Sequence, residues 1–245
     1  MISFNYLRNA KFPSEKIHVA ISGANGALGQ ALLRHFYHAG ACVIGLTTSS
    51  NIKLLDSSNN VIPIKWIVWK CGEEQKLAPL LQEIDLLIIN HGVNNYQKSC
   101  SDTVNTFINI NAISPLRLLN LGIKQLDYYQ EIWINTSEAE IQPAFSPLYE
   151  ISKRLIGQLT SFHRYSIYTS QGLRIRKLIL GPFKSTLNPI GIMTPDFVAG
   201  QIIYQAQMGI GLIIVTPNPL TYILAPIVEF IRWLYCKCLT ERLRI

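Results

Sequence analysis

Three glycines at three-residue intervals constrain this chain more than anything else in it. Ser22-Gly23-Ala24-Asn25-Gly26-Ala27-Leu28-Gly29 lies between a short apolar run, Ile17–Ser22, and a stretch with apolar residues at helical spacing, Leu28–His38. A buried strand that turns this sharply into a helix needs residues without Cβ atoms. The same turn brings the first helical amides, unpaired and at the positive end of the helix, to face whatever sits beyond the strand. Glycines so placed let a pyrophosphate approach the backbone and let the helix pack closely on its sheet. A plain glycine-rich turn could carry the same letters. The strand–turn–helix setting favours a nucleotide site, with Gly23, Asn25, Gly26, Leu28 and Gly29 around the phosphates.

The rest of the chain repeats this unit. Short apolar runs at Cys42–Leu46, Ile64–Trp69, Asp85–Asn90, Ile132–Thr136, Leu173–Leu180 and Leu212–Val215 alternate with helical patterns at 73–83, 102–125, 149–163 and 195–208. Near-continuous apolar strands separated by helices predict an α/β doubly wound parallel sheet, the Rossmann fold, in a single domain. Residues 17–219 would form that domain, behind an N-terminal extension (1–16) and ahead of an apolar and basic C-terminal helix (220–245).

Composition excludes several classes. Of 245 residues, 49% are apolar and 15% charged, the reverse of a disordered chain. The five cysteines (42, 71, 100, 236 and 238) are odd in number and scattered, which points to a reducing cytoplasm, not a disulfide framework. No CxxC pair or His/Cys cluster suggests a metal site. The net charge of +7 is dispersed and accompanies no nucleic-acid-binding signature, which disfavours nucleic acid and leaves anionic lipid or a phosphate-bearing ligand as the anionic partner. The uncharged run 208–228 is broken by Gly209, Gly211, Pro217, Pro219 and Pro226, and reads as a strand, a turn and the start of a helix in place of a membrane span.

At the end of the second strand, an acidic residue would hydrogen-bond the ribose 2′-hydroxyl of NAD. This chain has Thr47, Thr48 and Ser49 instead, with Lys53 nearby. Hydroxyls and an ammonium suit a 2′-phosphate, so NADP is the expected cofactor, with NAD the alternative. Further on, Tyr149 and Lys153 share one helical face at i, i+4, close enough for the ammonium to lower the phenol pKa from its usual ~10. Ser137 ends a strand at the sheet's carboxyl edge, where open α/β folds bind ligands.

The ordered set GANGALG, Asn90-His91-Gly92, Asn111, Ser137 and Tyr149-x-x-x-Lys153 resembles the short-chain dehydrogenase/reductase family, over about residues 17–220. The stretches NTSEAEIQPAFSPLYEISK and RKLILGPFKSTLNPIG are similar to the reductase half of bifunctional sterol desaturase/short-chain dehydrogenase proteins. The resemblance implies an enzyme that moves hydride between a nicotinamide and a carbonyl or alcohol. Tyr149 would be the general acid or base, and Ser137 would hold the substrate oxygen. Lys153 would bind the nicotinamide ribose, and Asn111 would hold a relay water. It also implies that Asn90, His91 and Gly92 lie beside the cofactor, and that Gly181, Pro182, Ser185 and Thr186 lie near the carboxamide. A small-molecule substrate and a homo-oligomer follow.

Four departures stand out. His91 replaces a small residue. Lys70-Cys71-Gly72 occupies a place that is often acidic, and Leu180 replaces a common proline. The interval from Ser137 to Tyr149 is one residue short, which makes Thr136 a competitor for the serine role. The C-terminal stretch combines Tyr, Phe and Trp with Lys and Arg. It suits packing on the domain or a partner subunit, or contact with anionic lipid at the membrane surface. Two other functions share the sequence features: a nucleotide-sugar epimerase-like enzyme, and a non-catalytic dinucleotide-binding or membrane-associated scaffold.

Overall fold

A computed structural model describes residues 16–50, 52–56, 58–94, 101–126, 130–165 and 173–242. Almost all of the N-terminal extension and Cys100 lie outside these. Seven strands form one wholly parallel sheet: β1 (His18–Ser22), β2 (Cys42–Thr47), β3 (Lys65–Val68), β4 (Leu86–Ile89), β5 (Glu131–Asn135), β6 (Arg174–Leu180) and β7 (Leu212–Val215). Their order across the sheet is β3-β2-β1-β4-β5-β6-β7. Consecutive connections therefore run outward in opposite directions from the β1/β4 pair. Where they diverge, a crevice opens at the strands' carboxyl ends.

Successive side chains of a strand point to opposite faces, and both faces are covered. Val19 and Ile21 of β1 and Trp133 of β5 pack against α1 (Ala27–His38) and α6 (Pro195–Gln207). Ala20, Leu87, Ile132 and Ile134 pack on the other side. That side carries a single helical turn, α2 (Ala78–Leu81), together with α3 (Ser101–Ile108), α4 (Ser114–Gln125) and α5 (Pro147–Tyr165). The last helix, α7 (Pro219–Arg242), follows β7.

Two elements differ from their sequence pattern. The expected helix over 73–83 is a 3₁₀ turn (Glu74–Leu77) running into α2, held by a contact between Glu74 and the Gly72 amide. The expected helix over 102–125 is two α segments joined by a π segment, Asn109–Ile113. Pro115 lacks the N–H that the Asn111 carbonyl would accept in α geometry, and here the Ser114 amide reaches back five residues to Asn109.

Candidate active site

A cavity of about 800 Å³ lies at the carboxyl edge of the sheet. Its floor is the glycine turn. Gly23 has φ +64, and a Cβ there would fall 2.8 Å from the His91 Cα. A Cβ on Gly29 would overlap the Gly23 carbonyl, so that glycine serves the packing of the turn and lies behind the cavity wall. At Gly26 the space is open except for the Gly23 oxygen at 3.2 Å. α1 begins at Gly26 with no side-chain cap and no acidic residue in its first turn. Its leading amides are thus left for an anionic ligand, and the turn fits a dinucleotide's pyrophosphate. Asn25 and Leu28 also face the cavity, and Gln30 braces Asn25.

Beyond the turn, Thr47, Thr48 and Ser49 line the wall after β2, and Thr47 Oγ1 accepts from the Ser49 amide at 3.1 Å. Lys53 is exposed and outside the lining. Cys71 lines the wall after β3, and burial pushes its thiol pKa up. Lys70 points to solvent.

The loop after β4 carries Asn90, His91 and Gly92 into the cavity. His91 is gripped on both ring nitrogens: Ser22 Oγ lies 2.8 Å from Nδ1 and Ser114 Oγ 3.2 Å from Nε2. Ser114 donates to Glu74 at 2.5 Å, so its oxygen is left to accept from Nε2–H, and Nδ1 accepts from Ser22. Trp69 meets the ring edge-on at 5.2 Å. Burial, reinforced by the Lys153 charge, lowers the His91 pKa to about 3. The ring is neutral and structural, with no proton to offer near neutrality.

Asn111 sits behind the cavity wall within the π segment. Its Oδ1 accepts from the Val93 amide at 2.7 Å, and its Nδ2 donates to the Val93 carbonyl at 2.9 Å and to Ser152 Oγ at 3.1 Å. The side chain copies a strand partner and fixes the loop that carries Gly92. Ser152 in turn donates to the Tyr149 carbonyl at 2.7 Å, joining Asn111 to the helix that bears the tyrosine.

Tyr149 and Lys153 project from α5 into the cavity, with Lys153 Nζ 5.6 Å from the centre of the tyrosine ring. Lys153 Nζ donates to the Asn135 carbonyl at 3.4 Å. Burial lowers its pKa to about 8, against the opposing pull of Glu140. Opposite stands Ser137, whose Oγ accepts from the Ala139 amide at 3.2 Å and keeps its proton for another acceptor. Thr136, the alternative to Ser137, also lines the cavity, and its hydroxyl donates to the Leu178 carbonyl at 2.9 Å. Gly181, Pro182, Ser185 and Thr186 close the far wall. A side chain at Gly181 would strike Thr216.

Sequence reasoning missed three parts. One is the pair Glu74 and Ser114 behind His91. Another is Glu140, paired with Lys177 and Arg232, whose charge acts on Lys153. The third is the mouth, where Phe145, Ile190 and Ile192 line the cavity while 91%, 76% and 70% exposed. Among the described residues, no group of three or more His, Cys, Asp or Glu could hold a metal ion.

Solved structures share this architecture. A short-chain dehydrogenase from Burkholderia cenocepacia in complex with NADP superposes with a TM-score of 0.70 at 15% identity, covering 86% of this chain and 92% of that one. An oxidoreductase of the short-chain dehydrogenase/reductase family from Burkholderia thailandensis gives 0.67 at 20% identity, over 83% and 92%. The chain has the short-chain dehydrogenase/reductase fold. In sequence, it is 42% identical over 229 residues to the monoglucosyldiacylglycerol epimerase of Synechocystis. That match takes in 91% of this chain and 55% of the relative, so the chain spans about half the relative's length. No family model matches.

Proposed function

We propose that this chain is a member of the short-chain dehydrogenase/reductase family and an NADP(H)-dependent oxidoreductase acting on a carbonyl or alcohol of a lipid-like substrate. One observation carries the reading: Ser137, Tyr149 and Lys153 converge on one cavity whose other end is an uncapped helix terminus in a glycine turn. The NADP complex of the Burkholderia cenocepacia relative, and the hydroxyls of Thr47, Thr48 and Ser49, support the choice of cofactor.

The bound cofactor would supply or take the hydride. The chain's own residues do the rest. Tyr149 gives its proton to the substrate oxygen as negative charge develops there, or takes it back in the oxidative direction. Ser137 donates to the same oxygen and fixes its position. Lys153 holds positive charge beneath the tyrosine ring and offers donors to ribose hydroxyls. Asn111 acts through the Val93 loop and Ser152, as a positioning residue. The apolar mouth at Phe145, Ile190 and Ile192 suits a hydrophobic substrate. We also read the chain as the counterpart of the reductase half of the bifunctional proteins it resembles. Cys42, Cys71, Cys236 and Cys238 form no disulfide among the described residues, which agrees with residence in the cytoplasm.

The Synechocystis relative favours a second reading of the same chemistry, epimerisation of a sugar headgroup on a glycolipid. Here hydride would leave a C–H carbon and return to its other face, with no net redox change. Calorimetric titration with NADPH and NADH tests the cofactor, and NADPH is expected to bind more tightly. Incubation with monoglucosyldiacylglycerol separates the readings. With NADP supplied, net formation of NADPH as a sugar alcohol is oxidised marks the dehydrogenase/reductase, and an inverted sugar carbon with no net change in cofactor marks the epimerase. Loss of either activity in Tyr149→Phe excludes a non-catalytic scaffold.

A further inference from the structure

α7 is amphipathic the wrong way round for a helix on a globular domain. Its inward line is polar: Thr221 and Glu229 are buried, as are Ala225 and Cys236, and Arg232 reaches in beside them. Glu229 and Arg232 join Lys177, Glu140, Ser161 and Arg164 in one buried ion cluster under the helix. The outward line is apolar. Leu220, Ile223, Ile227, Phe230, Ile231 and Leu234, at helical spacing, are each about half exposed or more, 49–60%. A helix that folds its charges inward and its large aliphatic groups outward has an apolar solvent to meet.

We propose that this outer face of α7 docks on the surface of an anionic lipid bilayer, with the helix lying in the interface. Charge favours lipid over a second copy of this chain. The only acid between residues 219 and 240 is Glu229, which faces inward, and the only charged side chain on the described outer face is Lys237, stacked on Trp233 at 4.7 Å. A second copy laid on the described face, residues 219–238, would offer Lys237 no carboxylate from that stretch, the other acid of the helix being Glu241 at its end next to Arg242, whereas anionic headgroups pair with Lys237 directly. Tyr222, Tyr235 and Trp233 add the amphipathic rings that settle at headgroup depth. Among the described residues no helix is long and apolar enough to cross a membrane, so the contact is peripheral.

Position links this face to the cavity. Asn218 donates to Gln142 at 2.8 Å and Gln142 donates to Thr221 at 2.7 Å, while Thr216 and Thr221 both donate to Glu138. The start of α7 is thereby pinned to the segment that continues into Phe145 at the cavity mouth. The lipid-facing stripe begins beside the entrance, where a substrate held in a bilayer would be drawn out.

Flotation of the full chain with vesicles tests this. The vesicles are phosphatidylcholine alone, or phosphatidylcholine mixed with phosphatidylglycerol. The wild type is expected to float with the anionic vesicles. The double variant Ile227→Asp/Ile231→Asp should lose binding by about tenfold or more, since two exposed aliphatic groups that the bilayer would bury become charged. Lys237→Glu should lose the preference for phosphatidylglycerol. All three sites are exposed, so thermal melting and NADPH titration should be unchanged, which keeps this test separate from the catalytic reading. Three results would overturn the proposal: a wild type that stays soluble with both vesicles, a double variant that binds as the wild type does, or a dimer that dissociates in the double variant. The last would assign the face to a second copy.

Discussion

Replacing Glu229 by glutamine should unfold this protein far more readily than any single surface charge change. Its carboxylate accepts from Ser161 at 2.6 Å, Lys177 at 2.8 Å, Arg232 at 2.9 Å, Tyr165 at 2.9 Å and Arg164 at 3.3 Å. Burial alone would raise its pKa, but Lys177 and its other donors bring it down to about 2. The amide would leave Lys177, whose side chain is fully buried, sharing Glu140 with Arg232. Removing one partner of a buried ion pair costs about 3–5 kcal/mol, a large part of a typical stability of about 5–15 kcal/mol. Glu150→Gln breaks the exposed Arg154 pair and should cost under about 1 kcal/mol, making it the matched control. Equilibrium unfolding in urea, followed by circular dichroism, reads both. A Glu229→Gln protein within about 1 kcal/mol of wild type would refute the reasoning. The pH dependence has a defined sign. A carboxyl held at about 2 in the fold, against about 4.3 unfolded, stabilises fully above the unfolded value. That contribution is lost as pH falls towards about 2, so the variant should show a shallower acid limb over this window.

Tyr149→Phe should reduce turnover by about a hundredfold or more while leaving NADPH affinity within a few-fold, by stopped-flow assay and calorimetry. Lys153 titrates near 8, so kcat/KM should fall as pH rises through about 8 and the ammonium is lost. Ser137→Ala should lower kcat strongly. Thr136→Val, which removes only a bond to the Leu178 carbonyl, should leave kcat near wild type and cost about 1 kcal/mol in urea. Gly29→Ala should abolish NADPH binding or folding outright, because its Cβ meets the Gly23 backbone and no flexible side chain can yield.

How much of this could be read from the sequence follows from the physics of each part. β1, β4 and the glycine turn were legible because buried parallel strands are continuously apolar, and because only glycine tolerates Gly23's φ of +64 beside His91. Tyr149 and Lys153 were legible because an i, i+4 pair defines its own geometry. Local pattern could not show the reach of Glu74 to Ser114, or the pairing of Glu140 with Lys177, because these contacts join residues 40 and 37 positions apart through the fold. Nor could it decide which side of α7 faces inward. Hydropathy alone assigns the aliphatic side to the core, whereas Lys177 projecting from β6 makes the polar side the better fit.

The π segment before α4 fixes the rotational phase of everything after it. One residue more than an α turn requires is stored between Asn109 and Ile113. Deleting a single residue there would let the chain continue as an α-helix only with Pro115 inside it, at a local cost of about 3 kcal/mol. The residues on one side of the deletion would then be turned by about 100° relative to the other. With Leu118 and Leu119 anchored in the core, the rotation would fall on Asn111 and withdraw its amide from Val93. Such a deletion variant should melt below the wild type, since Phe107 would be turned from the core as well, and should lose the ordered loop over Gly92. It would part the helix's two duties, filling the core and holding the cavity wall.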